Sequence, residues 1–208
     1  MNKIVIIGGG GHAKVLIDIF NMSGQYEIMG ILDAQREIGL SILNIPVLGN
    51  DDLLEGLYKK GIKNACIAIG SINDNSKRKM LYKRVKQIGF SIPFLTHPQA
   101  IISRNARISE GVQVMAGVVI HAESLIEENT IINTGSIVEH DCYISRHVHI
   151  CPGVVISGGC KINEGAFIGA GSTVIQGIKI GKNVTVGAGS VVIRDVPDGS
   201  KVMGVPAK

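Results

Sequence analysis

His140 and Asp141 are adjacent residues whose side chains could act together in proton transfer. A carboxylate beside a histidine can fix the imidazole tautomer through Nδ1, which leaves Nε2 to accept a proton. The ordinary histidine pKa of about 6.5 suits such a base at neutral pH. The pair therefore indicates general-base catalysis on a substrate group that must lose a proton.

Gly158 follows His140 by eighteen residues. If the chain repeats with that period, the two residues stack on adjacent turns, about 4.8 Å apart. A glycine at this place leaves its backbone N–H exposed beside the base. Acyl transfer needs this combination, because the base takes the nucleophile's proton and the N–H stabilises the oxyanion.

A repeat of the required kind is present in the second half of the chain. From Ile102 to Val192, isoleucine or valine occupies every sixth position, sixteen times without a change of phase. A helix repeats every 3.6 residues and a strand every 2, so neither produces this spacing. A chain that turns a triangular corner every six residues does, with three hexapeptides to each coil of a β-solenoid.

A small or medium residue follows each aliphatic position by four, and we expect it to face inward as well. Cys142 and Cys160 are two such residues, eighteen apart, and are predicted to stack in the core of adjacent coils. Since Cys142 is expected to point inward, the pattern argues against a cysteine nucleophile.

The repeat contains four histidines that could serve as metal ligands, namely His121, His140, His147 and His149. Stacked ligands within one subunit favour separations that are multiples of eighteen, and no pair among these four has one. No metal site is predicted within a subunit, although a trimer could assemble ligands across subunits.

The first 95 residues alternate apolar runs with helical stretches. Strands are predicted at 3–7, 27–32 and 65–69, and helices at 12–22, 51–60 and 74–88. This order predicts an α/β, Rossmann-like βαβαβ domain over residues 1–95, followed by the β-helix over residues 96–208.

The turn after the first predicted strand has the pattern G-x-G-x-x-A, which brings backbone N–H groups and a helix N-terminus against phosphate. The residues predicted to bind a nucleotide-linked substrate are Gly10, Gly11, His12, Asp33, Gly70 and Asn73. Two alternatives stay open, namely that the glycines only form a tight turn and that Asn73 only caps the following helix. A dinucleotide site normally uses two mononucleotide halves, so the short sheet favours a nucleotide-sugar over NAD.

Composition sets broad limits on the protein's class. The net charge of +4 suits an anionic small molecule better than nucleic acid. No apolar run approaches the length of a membrane span, and the apolar residues 4–7 are too short for a signal-peptide core. A cytoplasmic protein without a membrane span is expected.

The hexapeptide pattern resembles that of the hexapeptide-repeat acyltransferases, and residues 187–208 are similar to their C-terminal signature. With the Gly-Gly-His turn and the segment Asn-Thr-Gly-Ser-Ile-Val-Glu-His-Asp-Cys at 133–142, the whole chain resembles a narrower group. These are the bacterial acetyltransferases that N-acetylate UDP- or GDP-linked 4-amino-sugars, and the related sialic acid O-acetyltransferases.

The resemblance implies a left-handed parallel β-helix, a homotrimer and acetyl-CoA as co-substrate. It also implies that His140 is the general base, that Asp141 orients it and that His12 contacts the nucleotide. The residues it assigns to acetyl-CoA are His149, Gly158, Gly187 and Ala188.

We therefore predict an acetyl-CoA-dependent N-acetyltransferase that acts on a nucleotide-linked amino-sugar by direct transfer in a ternary complex. One alternative is O-acetylation of a sialic acid or related sugar. Another is a non-catalytic sugar-nucleotide-binding scaffold, against which the cluster Glu139-His140-Asp141 speaks. A third, an NAD-dependent oxidoreductase, requires a larger sheet than the sequence predicts.

Overall fold

The computed structural model describes residues 1–70 and 75–208, which form two compact units. The first unit contains residues 1–70 and 77–95, and the second contains residues 96–208 together with Asn75 and Ser76. Asn75 belongs to the second unit because its Nδ2 donates hydrogen bonds to the carbonyl oxygens of His147 (2.8 Å) and Gly165 (3.2 Å).

The first unit is an α/β domain built on one sheet. Its elements are β1 (Asn2–Ile7), α1 (Gly11–Ser23), β2 (Tyr26–Leu32), β3 (Ser41–Ile42), β4 (Ile45–Gly49), a 3₁₀ turn (Asp51–Leu53), α2 (Leu54–Lys59), β5 (Asn64–Ile67) and α3 (Ser76–Ile88). The strand order is β3-β4-β2-β1-β5, with β1, β2, β4 and β5 parallel. Apolar strand residues such as Ile7 and Ile67 pack against Leu81 and Val85 of α3.

The hairpin of β3 and β4 is an addition to the predicted βαβαβ unit, and it extends the sheet from three strands to five. Its turn residues, Leu43 and Asn44, have φ angles of 47° and 66°. Tight hairpin turns normally carry Asn-Gly or Asp-Gly at such positions, and Pro46 argues against a strand. The local sequence therefore lacks the usual hairpin signal.

The second unit is a parallel β-helix of two-residue strands. They are β6 (Leu95–Thr96), β7 (Ile101–Ile102), β8 (Arg107–Ile108), β9 (Gln113–Val114), β10 (Val119–Ile120), β11 (Leu125–Ile126), β12 (Ile131–Ile132), β13 (Ile137–Val138), β14 (Tyr143–Ile144), β15 (His149–Ile150), β16 (Val155–Ile156), β17 (Lys161–Ile162), β18 (Phe167–Ile168), β19 (Thr173–Val174), β20 (Lys179–Ile180), β21 (Thr185–Val186), β22 (Val191–Val192) and β23 (Lys201–Val202).

Three sheets form the triangular wall of the β-helix. The first has the order β22-β19-β16-β13-β10-β7, the second β20-β17-β14-β11-β8, and the third β23-β21-β18-β15-β12-β9-β6. Residues eighteen apart are direct partners, as in the pairing of Ile120 with Val138 and of Val138 with Ile156. The predicted parallel β-helix is confirmed.

The interior of the β-helix combines aliphatic side chains with small polar ones. Hydroxyl groups inside the coil donate to carbonyl oxygens fifteen residues further along, as Ser124 Oγ does to Glu139 (2.7 Å) and Ser136 Oγ to Cys151 (2.8 Å). Burying a polar group costs little folding free energy when the group is hydrogen-bonded, so the inward serines are compatible with the apolar core. Cys142 and Cys160 are buried, at 1% and 0% exposure, as their phase predicts.

Across residues 1–70 and 75–208, no helix combines the length and apolar character that a membrane crossing requires.

Candidate active site

His140 and Asp141 lie at the corner that follows β13. Asp141 has a left-handed backbone, with φ at 59°, and its Oδ2 lies 2.6 Å from Nδ1 of His140. With the carboxylate as acceptor, Nδ1 carries the proton and Nε2 is available as a base. The two side chains are 64% and 63% exposed, so a substrate can reach them.

The pKa of His140 is raised above the ordinary histidine value. The largest cause is the hydrogen bond to Asp141, which outweighs the opposing effect of desolvation, and the negative charges of Asp141 and Glu139 raise the pKa further. An imidazole of higher pKa is a stronger base once it is deprotonated. The site therefore has a base that holds its proton well after taking it from a nucleophile.

Gly158 packs against the His140 ring from the next coil. A Cβ atom at Gly158 would lie 2.7 Å from Cε1 and 2.8 Å from Nε2 of His140, so the imidazole occupies the space of the absent side chain. The stacking predicted from the spacing of eighteen is thereby confirmed. A role for Gly158 toward a coenzyme stays a prediction.

The Gly158 N–H lies outside the hydrogen-bond ladder. Its two neighbours donate, Ser157 to Val174 O (2.9 Å) and Gly159 to His140 O (2.9 Å), whereas Gly158 N donates no backbone hydrogen bond within residues 1–70 and 75–208. A polar donor is thus available next to the base, as oxyanion stabilisation requires.

Glu139 and His121 form a second pair next to the base. Glu139 Oε1 lies 3.7 Å from His121 Nε2, and its carboxylate contributes to the raised pKa of His140. The sequence analysis gave His121 no role and did not pair it with Glu139, although the difference of eighteen between 121 and 139 would have placed them one coil apart.

The residues predicted to bind acetyl-CoA are distributed around the β-helix. Gly158 follows the first sheet at one corner, whereas Gly187 and Ala188 follow the third sheet at another. His149 belongs to β15 of the third sheet, is only 6% exposed, and packs edge-on against Phe167 with ring centroids 5.4 Å apart. Within one protomer, these four residues do not meet at a single corner.

The corner after the third sheet is lined by glycine along its length. In five successive coils the residue at this corner has φ near 67°, a conformation that glycine adopts without strain. The glycines are Gly117, Gly135, Gly153, Gly171 and Gly189. The corner thus exposes backbone rather than side chains, which suits close approach by an extended ligand.

The glycine-rich turn of the first unit lies at the carboxyl end of the parallel sheet. Cβ atoms added to Gly10 or Gly11 would meet nothing within 4 Å, so this part of the turn is open. Gly10 also caps α1 without a side chain, so N–H groups at the start of the helix face this space. An anionic group would be stabilised there.

Asp33 organises this turn from the end of β2. Its Oδ2 accepts a hydrogen bond from Gly9 N (2.6 Å) and its Oδ1 accepts one from Gln35 N (2.8 Å). The sequence predicted Asp33 only as a residue that binds the nucleotide-linked substrate, and this structural role was missed. A cavity of about 330 Å³ opens beside Asp33, with Arg36, Leu48 and Asn50 in its lining.

His12 and Gly70 approach each other across the same end of the sheet. A Cβ at Gly70 would lie 3.8 Å from Cβ of His12. The structure thus brings Gly10, Gly11 and His12 to one edge with Asp33 and Gly70, where ligands of open α/β sheets bind. Asn73, the remaining predicted residue, lies outside the described residues.

Arg78 is a buried residue that sequence reasoning missed. Its Nη1 donates to the carbonyl oxygens of Ile67 (2.6 Å) and Ile69 (3.1 Å) at the end of β5, and burial lowers its pKa to about 10. The spacing in the sequence could have revealed this burial, because Arg78 precedes Leu81 by three residues and Val85 by seven and so lies on the same buried stripe of α3. Arg78 therefore fixes the chain that leads into Gly70.

A metal centre is not formed by the described residues, among which no three His, Cys, Asp or Glu side chains are grouped to hold an ion.

Each of the two units contains a segment that matches a known protein family. Residues 3–85 match the family described as PglD N-terminal domain, and residues 159–194 match bacterial transferase hexapeptide (six repeats). The UDP-N-acetylbacillosamine N-acetyltransferase of Bacillus subtilis (strain 168) is 36% identical over 119 residues, or 56% of this chain and 52% of the relative. The matched stretch thus spans about half the length of that relative.

Solved structures extend the similarity to the whole chain. A histidine-to-asparagine variant of perosamine N-acetyltransferase from Caulobacter crescentus, in complex with CoA and GDP-perosamine, is 42% identical with a TM-score of 0.93. The match covers 100% of this chain and 96% of that one. The chain belongs to the bacterial hexapeptide-repeat sugar acetyltransferase family. This sugar acetyltransferase is also 38% identical to the acetyltransferase domain of PglB from Neisseria gonorrhoeae FA1090, solved with acetyl coenzyme A, at a TM-score of 0.91 and coverage of 100% and 99%.

Several sequence-based predictions are confirmed by these relatives. They are the α/β domain followed by a left-handed β-helix, the sugar acetyltransferase family, an acetyl-CoA-dependent sugar N-acetyltransferase activity, and acetyl-CoA as co-substrate.

Proposed function

We propose that this sugar acetyltransferase transfers the acetyl group of acetyl-CoA to the 4-amino group of a nucleotide-linked sugar, with His140 as general base. The observation that carries the proposal is the constellation of His140, its 2.6 Å hydrogen bond to Asp141, and Gly158 against its ring. The perosamine N-acetyltransferase of Caulobacter crescentus has been solved with a histidine replaced by asparagine and by alanine, each in complex with CoA and GDP-perosamine. These variants support a functional histidine in the family.

The transfer is direct and needs no acetyl-enzyme. The neutral sugar amine attacks the thioester carbonyl, a C–N bond forms, and Nε2 of His140 takes one amine proton. The N–H of Gly158 stabilises the negative oxygen of the tetrahedral intermediate. When the intermediate collapses, the C–S bond breaks and His140 returns the proton to the departing thiolate of CoA. Asp141 keeps the imidazole oriented and stabilises its protonated form throughout.

The coenzyme lies in a groove between two β-helices of a homotrimer. Gly158 is at one corner of the protomer and Gly187 with Ala188 at another, so one acetyl-CoA reaches all of them only if neighbouring protomers supply different corners. The glycine-lined corner offers backbone to the extended pantetheine arm, and His149 is proposed to contact the coenzyme from the third sheet. Sedimentation equilibrium checks this arrangement, because a monomer that retains full activity would contradict it.

The nucleotide of the acceptor binds at the carboxyl end of the first unit's sheet. Gly10, Gly11 and His12 face the phosphates, and the cavity beside Asp33 takes the base or ribose. Gly70 and Asn73 complete the proposed site, the latter on sequence grounds alone. The complex of the Caulobacter crescentus relative with GDP-perosamine supports an acceptor of this class. We expect the enzyme to act in the cytoplasm, where both co-substrates are made.

The experiment that tests the function measures CoA thiol release with a panel of UDP-, GDP- and dTDP-linked 4-amino-sugars and with sialic acids. The expected result is turnover on one class of nucleotide-linked amino-sugar, with the acetyl group on its nitrogen by NMR. Turnover on sialic acids alone would favour O-acetylation instead. Absence of acetyl-CoA binding by calorimetry would overturn the enzyme assignment.

A further inference from the structure

The charge of this chain is concentrated in one part of its first unit. Residues 51–90 contain nine Lys and Arg and four Asp and Glu, a net charge of +5, whereas the whole chain carries +4. The other residues are together slightly acidic. The positive charge is therefore a local property of the segment that includes α2 and α3.

Helix α3 presents four of these nine cations to solvent. Arg78, Leu81 and Val85 form its buried stripe, and the opposite side exposes four cationic side chains. They are Lys77, Lys83, Arg84 and Lys86. The helix contains no acidic residue, and besides the buried Arg78 its first turn carries Lys77 and Lys79 where the helix dipole favours anions. Since this arrangement works against helix stability, the fold alone does not account for it.

Helix α2 continues the basic surface. Lys59 and Lys60 are exposed at its end. A cavity of about 360 Å³ between α2 and α3 is lined by Glu55, Tyr58, Lys59, Arg84, Gln87 and Ile88. The acidic groups that face α3 are Asp51, Asp52 and Glu55. Asp52 forms an ion pair with α3, with its Oδ1 3.4 Å from Nη2 of Arg84, and the side chains of Arg84 and Asp52 are 47% and 78% exposed.

Met80 gives the surface an apolar centre. It is 63% exposed, and its exposed charged neighbours on the helix are Lys77, Lys83 and Arg84, so a thioether side chain projects among three cations. Nucleic acid sites favour arginine forks and exposed aromatic rings, whereas lysines around an aliphatic group suit a diffuse layer of anionic headgroups over hydrocarbon. The combination fits a bilayer surface better than a polynucleotide.

We propose that the α2–α3 face, defined by Lys59, Lys60, Lys77, Met80, Lys83, Arg84 and Lys86, binds the surface of an anionic lipid bilayer. The lysines interact with the negative surface potential, and Met80 enters the headgroup layer. The interaction is peripheral and reversible, since one methionine buries too little area for stable insertion. It is independent of the acetyl transfer proposed above, because none of these residues has a role in that site.

Co-sedimentation with vesicles tests the proposal. The full-length enzyme is mixed with vesicles of phosphatidylglycerol and phosphatidylcholine, or of phosphatidylcholine alone, at low and high salt. Binding is expected only to the anionic vesicles and is expected to be lost at 1 M salt, where the Debye length is about 3 Å. The variant Lys77→Ala/Lys83→Ala should bind on the order of 30-fold more weakly, at about 5-fold for each lysine.

Matched controls separate this surface from general charge effects. Lys161→Ala/Lys179→Ala removes the same charge from exposed positions of the β-helix and should leave vesicle binding unchanged. Met80→Ser should weaken binding to vesicles without changing the salt dependence. Acetyl transfer to soluble acceptors should be the same in all three variants, so loss of lipid binding is distinguishable from loss of the proposed function.

Three results would overturn the proposal. The first is equal binding to neutral and anionic vesicles, and the second is equal weakening by the two double-lysine variants. The third is binding to a single-stranded oligonucleotide as tight as to vesicles, with no effect of Met80→Ser, which would identify the face as a polyanion site.

Discussion

The imidazole of His140 fills the space that a side chain at Gly158 would occupy, with Cε1 and Nε2 within 2.8 Å of the position of a Cβ atom. The glycine therefore does two things at once. It leaves room for the imidazole to keep its hydrogen bond to Asp141, and it leaves its own N–H without a backbone acceptor next to the base. A repeat that stacks residues eighteen apart converts a spacing in sequence into this contact.

Gly158→Ala is expected to abolish most of the activity without unfolding the protein. The new methyl group would displace the exposed ring from Asp141, and a displacement of about 1 Å costs on the order of 10²-fold in rate. Steady-state kinetics and thermal unfolding measure the two effects. Gly56→Ala is the control, because a Cβ there meets nothing within 4 Å and the residue lies in α2. Wild-type kcat/KM in Gly158→Ala would show that the contact is irrelevant to catalysis.

Asp141→Asn is expected to shift the midpoint of the pH profile of kcat/KM toward lower pH and to lower the plateau value of kcat/KM. Only deprotonated His140 is a base, so kcat/KM rises with pH and reaches half its plateau at the pKa of His140, which Asp141 raises above 6.5. Removing the carboxylate lowers that pKa, and the midpoint follows it. Glu139→Gln removes a smaller contribution and should shift the midpoint less in the same direction. An unchanged midpoint in Asp141→Asn would contradict the assignment of His140 as the titrating base.

Cys142→Ser is expected to preserve both fold and activity. The pKa of the Cys142 thiol is raised by its contact with Cys160 and by burial, and its Sγ donates to Ser157 O at 3.3 Å. Serine occupies the equivalent inward position at 124 and donates in the same way to a carbonyl fifteen residues on. Intact-protein mass spectrometry with acetyl-CoA and no acceptor should show no acetyl adduct. An adduct that disappears in Cys142→Ser would instead establish a covalent route.

Arg78→Met is expected to destabilise the first unit while Arg84→Met does not. Loss of the guanidinium leaves the buried carbonyl oxygen of Ile67 without its donor, which costs about 1–3 kcal/mol. Arg84 forms an exposed ion pair with Asp52, which is worth about 1 kcal/mol or less. Urea unfolding measures both, and equal midpoints for the two variants would refute a structural role for Arg78.

The sequence predicted the β-helix and the neighbours of His140 because a solenoid is close to one-dimensional. Once the period is known, partners follow by adding eighteen, as they do for His140 with Gly158 and for Cys142 with Cys160. The same rule would have paired His121 with Glu139, a contact that was missed because only histidine-histidine separations were compared.

The first unit was less predictable because its contacts depend on tertiary packing. Leu43 and Asn44 form a hairpin turn without the glycine that usually marks one, so two strands escaped prediction. Arg78 is charged yet buried, and the carbonyl oxygens that bind it are eleven and nine residues away. Asp33 was recognised as a polar residue at the end of a strand, but its bonds to Gly9 and Gln35 follow from the loop conformation.

The most direct test of the account compares wild-type enzyme with His140→Ala on the best nucleotide-linked amino-sugar, with CoA release and acetyl-CoA affinity measured on the same samples. If His140 is the general base, kcat/KM falls by about 10²–10⁴-fold in the variant while acetyl-CoA affinity and thermal stability remain unchanged. Activity in His140→Ala close to that of the wild type would contradict the assignment of His140 as the general base.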